Sequence, residues 1–318
     1  MSSVCSPVVV SRPRASFARA RRAAGRRVAP AVRCAASSSE SPALSRRDVF
    51  AIPAISAIAL ALEDASSPRP AEAATLSGPA DGPVLVVGAT GATGRRVVQQ
   101  LRARGVAVRA GARDVKKAQS LGLAASGAEV VQMDVLDTDS IAAAMAGVSA
   151  VICATGFTPS LNFKKDNPAK VDHLGTDNLV AAAAAADVKR FVLVTSLLTN
   201  AKAAGQADND NYKFLNALGG VLDEKLAAEL NLRASGLDYV VVRPGGLSNE
   251  PEAAVGNLIV RGEDTTFGLE TDPGREISRD TVAAVCVEAL FSDKASKRVV
   301  EIVASPTAPA LPPAQWFA

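Results

Sequence analysis

The sequence offers little with which to hold a metal or build a disulfide framework. It has one histidine, His173, and four cysteines in 318 residues. Cys5 and Cys34 lie in an N-terminal stretch that reads as removable, and Cys153 and Cys286 fall in apolar strand and helix patterns, where a thiol packs as a small hydrophobe. None of these has metal-ligand spacing, so no metal site is expected. Acid is locally missing: the first 39 residues hold eight arginines and no Asp or Glu, with Ser and Ala filling most of the remainder. That is transit-peptide composition. Eleven of the 35 basic and five of the 32 acidic side chains lie in the first 74 residues, so the +3 of the whole chain becomes −3 for the rest. The basic balance belongs to an address label and does not predict nucleic-acid binding.

A long apolar span is lacking as well. The run from Ala51 to Leu62 is too short to cross a bilayer, and Pro53 interrupts it. It follows Ser45-Arg46-Arg47-Asp48-Val49-Phe50 and precedes Ala71-Glu72-Ala73-Ala74, the layout of a twin-arginine export signal. Residues 1–74 are therefore assigned to a chloroplast transit peptide with a thylakoid-directing apolar segment; a long stromal transit peptide with an apolar tail is the alternative.

What remains is rich in apolar residues, 48% of the whole chain, and regular in pattern. Short β-branched runs at Val84 to Gly88, Ala107 to Ala112, Ala128 to Met133, Ala150 to Ala154, Arg190 to Ser196, Tyr239 to Arg243 and Val299 to Val303 read as strands. Helical stretches fall between them at Ala92 to Arg104, Val115 to Leu121, Ser140 to Met145, Asp172 to Ala186, Leu215 to Ser235 and Ser278 to Phe291. This order predicts one α/β domain over residues 83–305, Rossmann-like and doubly wound, with a mainly parallel sheet and helices on both faces. Residues 306–318 form a Pro-rich tail that either docks on the domain or binds a partner. No internal repeat and no second domain is read. The segments Phe157 to Lys170 and Gly246 to Glu276 exceed ordinary connectors and read as substrate-covering loops.

The first strand runs into Gly88-Ala89-Thr90-Gly91-Ala92-Thr93-Gly94-Arg95. Gly88 suits a tight turn, Gly91 a close approach of backbone to pyrophosphate, and Gly94 helix packing on the strand, with free N–H groups at a positive helix end. Strand, glycine turn and helix in one βαβ unit predict dinucleotide binding. After the second strand comes Ala112-Arg113-Asp114, where an NAD enzyme keeps an acid for the ribose 2′-hydroxyl. Arg113, with Lys117 and Arg95 nearby, suits a 2′-phosphate and predicts NADP (NADPH) as cofactor; Asp114 could instead serve the NAD role. Asp134-Val135 is placed for the adenine edge or for capping the next helix. Ala154-Thr155-Gly156 supplies small residues where the backbone passes the cofactor. Reduced dinucleotide is regenerated on the stromal side, which favours the stroma or the stromal face of the thylakoid over the lumen.

The pieces "GATGATGR", "ARDVKKA", "MDVLD", "VICATGF", "VDHLGTDNLV", "RFVLVTS", "KLAAE" and "SGLDYVVVRPGGL" together resemble the atypical short-chain dehydrogenase/reductase family. Within it they are similar to chloroplast flavin-reductase-related NAD(P)-binding proteins and to the NADP-binding subunit of the inner-envelope translocon. The resemblance implies that Lys225 matches the lysine that holds the nicotinamide ribose, that Ser196 approximates the catalytic serine, and that Pro244 and Gly245 lie beside the nicotinamide. Val221 departs from the family, standing four residues before Lys225 where a tyrosine belongs. Valine cannot donate a proton, whereas hydride comes from the nicotinamide itself. Two functions follow: an NADPH-dependent oxidoreductase acting on a flat conjugated molecule of flavin, quinone or tetrapyrrole class, or a non-catalytic redox sensor or assembly factor on a thylakoid or envelope membrane complex. His173 reads as a capping or surface residue. Tyr212 reads as a packed aromatic, or as one that swings toward substrate from a loop.

Overall fold

Strand β1 (Val84–Val87) is buried along its whole length, and its side chains divide by parity. Val84 and Val86 face one apolar cluster and Leu85 and Val87 another. A period of two with both faces apolar is what a strand covered by helices on both sides requires. The computed structural model describes residues 82–157, 167–217 and 219–318. The stretch 1–74, read above as a transit peptide, lies outside the described residues, as does most of the Phe157 to Lys170 connector. All described residues fall in one compact unit, Pro68–Ala318.

After β1 the chain forms α1 (Ala92–Ala103), β2 (Val108–Ala112), α2 (Val115–Ser120), β3 (Glu129–Gln132), α3 (Thr138–Met145) and β4 (Ala150–Cys153). A π-helical turn, Ala169–Leu174, runs into α4 (Gly175–Ala185), followed by β5 (Arg190–Val194), α5 (Asp210–Asn216), α6 (Val221–Ala234) and β6 (Tyr239–Pro244). The last part holds β7 (Gly246–Ser248), α7 (Glu252–Val255), β8 (Asn257–Arg261), β9 (Glu276–Ser278), α8 (Arg279–Phe291) and β10 (Arg298–Ser305). Eight strands make one sheet in the order β3-β2-β1-β4-β5-β6-β10-β8. Every neighbouring pair in it is parallel except β10 with β8. The expected doubly wound α/β fold is the one observed.

Two expectations are corrected. The helix read from Leu215 to Ser235 is two helices, because Gly219 and Gly220 turn left-handed at φ 91° and 75° and only α6 resumes beyond them. The Gly246 to Glu276 segment is no plain loop: it holds α7, the edge strand β8, and β7, which pairs in parallel with β9.

Helices α1 and α8 cover one face. Val97, Val98 and Leu101 of α1 are fully buried there, each worth about 1.5–3 kcal/mol of apolar burial. The two helices run side by side in the same direction: Arg96 meets Asp280, and eight residues on Arg104 meets Glu288. Helices α3, α4 and α6 cover the opposite face through Ile141, Leu179 and Leu232. The tail docks on the domain. Phe317 is 2% exposed against the α8 side of the core, and its carbonyl accepts from Arg298 at 2.7 Å.

The strand order reverses between β1 and β4, so the connections leaving these two strands diverge to opposite sides. That leaves a crevice at their carboxyl ends, the usual ligand position in an open α/β sheet.

Candidate functional site

The crevice is a cleft of about 270 Å³ built by four strand ends. Gly88, Thr90 and Gly91 line it from β1, Arg113 and Lys117 from beyond β2, Asp134 and Val135 from beyond β3, and Ala154, Thr155 and Gly156 from beyond β4. These ten residues, far apart in sequence, share one concavity. Ala92, Thr93, Gly94 and Arg95 form the first turn of α1 behind it.

The glycines hold a shape that side chains would fill. Gly88 turns at φ 76°, and a Cβ there would come within 2.9 Å of the Ala154 carbonyl oxygen. A Cβ on Gly94 would fall 2.2 Å from the Gly88 carbonyl oxygen, so the helix lies directly on the strand end. Gly91 is the N-cap of α1 and offers no side-chain cap; the first turn carries no acid. The helix's first N–H groups and its positive end are therefore left for an external anion. These residues fit a dinucleotide pyrophosphate.

At the ribose position, Arg113 and Lys117 are exposed at the cleft rim. Asp114, the alternative NAD determinant, instead caps α2 by accepting from the Lys117 N–H at 3.0 Å. The capping alternative for Asp134 is taken by Asp137, which accepts from Asp139 and Ser140, while Asp134 accepts from the Leu136 N–H.

Lys225 stands at the other end. Its Nζ lies 2.6 Å from Asp172 Oδ1, with the lysine side chain 13% exposed and the aspartate fully buried. The second carboxylate oxygen of Asp172 accepts from the Phe157 N–H. A Cβ placed on Gly156 would be 3.7 Å from Lys225 Nζ, so the pair sits at the lip of the cleft. Glu229, one helical turn further along α6, is fully buried and pairs with Arg243. Sequence reasoning took Asp172 only as a helix start. No local signal marks it, since its neighbours Lys170, Val171, His173 and Leu174 are mixed in character, and only its burial shows the need for a cation. Asp172 also lies in the π-helical turn, a distortion frequent at functional sites.

Ser196 is half-buried just after β5, and Pro244 and Gly245 follow at the end of β6; none of the three lines the cleft. Leu197 donates its N–H to the Pro244 carbonyl, joining the two strand ends. Leu198 is left-handed at φ 67°, a strain of about 1–3 kcal/mol for a branched side chain. Tyr212 does not reach toward the cleft: it is 5% exposed and donates its hydroxyl to Asp223 at 2.6 Å. Burial, then the Asp223 carboxylate, push the phenol above its ordinary range and keep it neutral. Tyr239, the second tyrosine, opens β6, at the end of the strand away from the carboxyl-end crevice. His173 bridges Glu224 at 2.9 Å and Asp177 at 3.2 Å on the surface. Among the described residues, Cys153 and Cys286 are buried in the core; burial raises the Cys153 thiol and pushes Cys286 up to about 12, so both pack as inert thiols.

Residues 88–293 match the family model described as NAD(P)H-binding. The chain belongs to the NAD(P)H-binding family. It is 47% identical over 228 residues to the chloroplastic protein At2g34460 of Arabidopsis thaliana, covering 71% of this chain and 78% of that one. It is 36% identical over 249 residues to the chloroplastic protein TIC 62 of Pisum sativum, across 73% of this chain. The match spans 45% of the pea protein, less than half its length. Among solved structures, ChuY, an anaerobillin reductase of Escherichia coli O157:H7, superposes with a TM-score of 0.57 at 25% identity. That match covers 72% of this chain and all of ChuY. In this NAD(P)H-binding chain no described helix is long and apolar enough to cross a membrane.

Proposed function

We propose that this NAD(P)H-binding chain is an NADPH-dependent oxidoreductase of the chloroplast that reduces a flat conjugated small molecule of flavin, quinone or tetrapyrrole class. The observation that carries this reading is the Lys225–Asp172 pair at the lip of a glycine-built cleft, beside Gly156. The backbone of Gly88, Thr90, Gly91, Ala92, Thr93 and Gly94, with Arg95, receives the pyrophosphate. Arg113 and Lys117 take the 2′-phosphate, Asp134 and Val135 the adenine, and Ala154, Thr155 and Gly156 run beneath the dinucleotide. Lys225, held by Asp172, binds the nicotinamide ribose, and Ser196, Pro244 and Gly245 flank the ring. When bound, the nicotinamide supplies a hydride.

Val221 offers no proton, and Tyr212 is committed to Asp223. An acceptor that takes its proton from solvent is therefore the compatible substrate: a conjugated ring delocalises the incoming charge and asks the protein only for binding and orientation. The likeness to an anaerobillin reductase supports this substrate class. The likeness to At2g34460 and TIC 62, both chloroplastic, together with the arginine-rich N-terminal stretch, supports a chloroplast location, and regeneration of reduced dinucleotide in the stroma favours its stromal side. The experiment is NADPH oxidation by the purified chain with flavin, quinone and tetrapyrrole acceptors, and turnover with at least one class is expected. Absence of turnover across all three would refute the enzymatic reading.

Val221 and the likeness to TIC 62 favour a second reading, an NADP(H)-occupancy sensor that binds a thylakoid or envelope complex. Capture from solubilised thylakoid and envelope membranes, with and without NADPH, tests it; a set of bound proteins indifferent to nucleotide would sink it.

A further inference from the structure

Arg243 is the penultimate residue of β6, just before Pro244, and has no solvent exposure. Its guanidinium reaches Glu229 of α6 at 2.6 Å, Asp264 at 2.8 Å, Glu263 at 3.2 Å and Glu301 of β10 at 3.4 Å. Glu263 is shared with Arg233, and Glu301 also accepts from the N–H groups of Asp264, Thr265 and Thr266. Burial opposes the Arg243 charge, but hydrogen bonds and charge from Glu229, then Asp264 and Glu263, outweigh it and raise the guanidinium above its ordinary range.

The carboxylates lead back to the site. Glu229 stands one helical turn after Lys225, so fixing Glu229 fixes the rise and rotation of the turn that presents the lysine. Glu229 Oε1 also accepts from Thr199 Oγ1 at 3.1 Å, and Asp264 Oδ2 accepts from Asn200 Nδ2 at 2.6 Å. Thr199 and Asn200 belong to the loop that carries Ser196. Leu198, left-handed and buried, lies between these ties and Ser196. Strain of that kind persists only where the surroundings over-determine the backbone, and it collects at functional sites.

We propose that Arg243 is a positioning residue: through Glu229 and Asp264 it locks α6 and the loop after β5 to the end of β6, so that Lys225 and Ser196 are presented together at the nicotinamide end of the cleft. The proposal rests on the nucleotide reading above, in which Lys225 meets the nicotinamide ribose. It accounts for a fully buried arginine on a strand end that itself touches nothing in the cleft, and for a strained leucine stitched down on the side away from Ser196.

The test titrates the full chain with NADPH and with 2′,5′-ADP, which fills the adenosine end and lacks the nicotinamide. Glu229→Gln and Thr199→Val are expected to weaken NADPH binding by about fivefold or more and to leave 2′,5′-ADP within about twofold of wild type. Thr199→Ser keeps the hydroxyl and restores NADPH affinity. Thr199→Val alters one hydroxyl in an otherwise intact cluster and carries the test if Glu229→Gln does not fold. Equal weakening of both ligands means general loosening and overturns the proposal; unchanged NADPH affinity in both variants overturns it as well. A wild-type chain that binds neither ligand overturns the nucleotide reading itself, and the proposal with it.

Discussion

Replacing Arg243 with Met is the sharpest perturbation of this fold. The methionine matches the aliphatic length of the arginine but leaves Glu229 and Glu301, 0% and 1% exposed, without their cation. Removing one partner of a buried ion pair costs about 3–5 kcal/mol, a large share of the roughly 5–15 kcal/mol that holds a domain together. For a domain of this size each kcal/mol lowers Tm by about 2–4 °C, so the loss is about 6–20 °C. The sign of its pH dependence follows from Glu301. Burial already raises the Glu301 carboxyl above its ordinary range, opposed by three backbone N–H groups and by Arg243. Without Arg243 the carboxyl rises further. A group raised on folding contributes stability that is present below its unfolded pKa and lost as pH climbs through the folded one. The gap between variant and wild type is therefore widest above the variant's folded pKa and narrows as the pH falls toward the ordinary glutamate range. Thermal and urea denaturation followed by circular dichroism measures both. A loss under about 1 kcal/mol, or a gap that does not change with pH, would refute the assignment of Arg243 as a charge hub.

Further outcomes are expected at the cleft. Gly94→Ala drives a Cβ to 2.2 Å from the Gly88 carbonyl oxygen, a backbone clash that costs about 1–3 kcal/mol of stability and at least about tenfold in NADPH affinity; wild-type values for both would show that α1 tolerates a shift off the strand. Arg113→Ala removes an exposed charge from the cleft rim, the proposed 2′-phosphate position. At ~4 Å in a water-like dielectric each unit charge contributes about 1 kcal/mol, so a dianion loses about 2 kcal/mol, roughly thirtyfold for NADPH, and NADH is unaffected. Equal losses for the two nucleotides in calorimetry would remove Arg113 from the site.

The glycine turn of the candidate site is legible in the sequence because its determinants are local. Gly88, Gly91 and Gly94 are dictated by backbone geometry within one turn, and the strand before them and the helix after them declare themselves by period. The central strands are readable for the same reason, each being a short apolar run with both faces covered. The Lys225–Asp172 end is not. Asp172 gains its meaning from Lys225, 53 residues away, and Arg243 from carboxylates 14, 20, 21 and 58 residues away. No periodicity encodes such pairings. Strand β8 escapes notice because its place, antiparallel on β10 at the sheet edge, is set by its partner, and β7 and β9 are three residues each. The break between α5 and α6 was written in Gly219-Gly220, but glycine pairs permit a turn without requiring one.

The central claim is that the cleft between β1 and β4 takes a dinucleotide bearing a 2′-phosphate, and calorimetric titration of the full chain with NADPH and NADH tests it most directly. The account predicts binding of both, with NADPH tighter by about tenfold or more. Tighter binding of NADH, or no heat with either nucleotide, would contradict it.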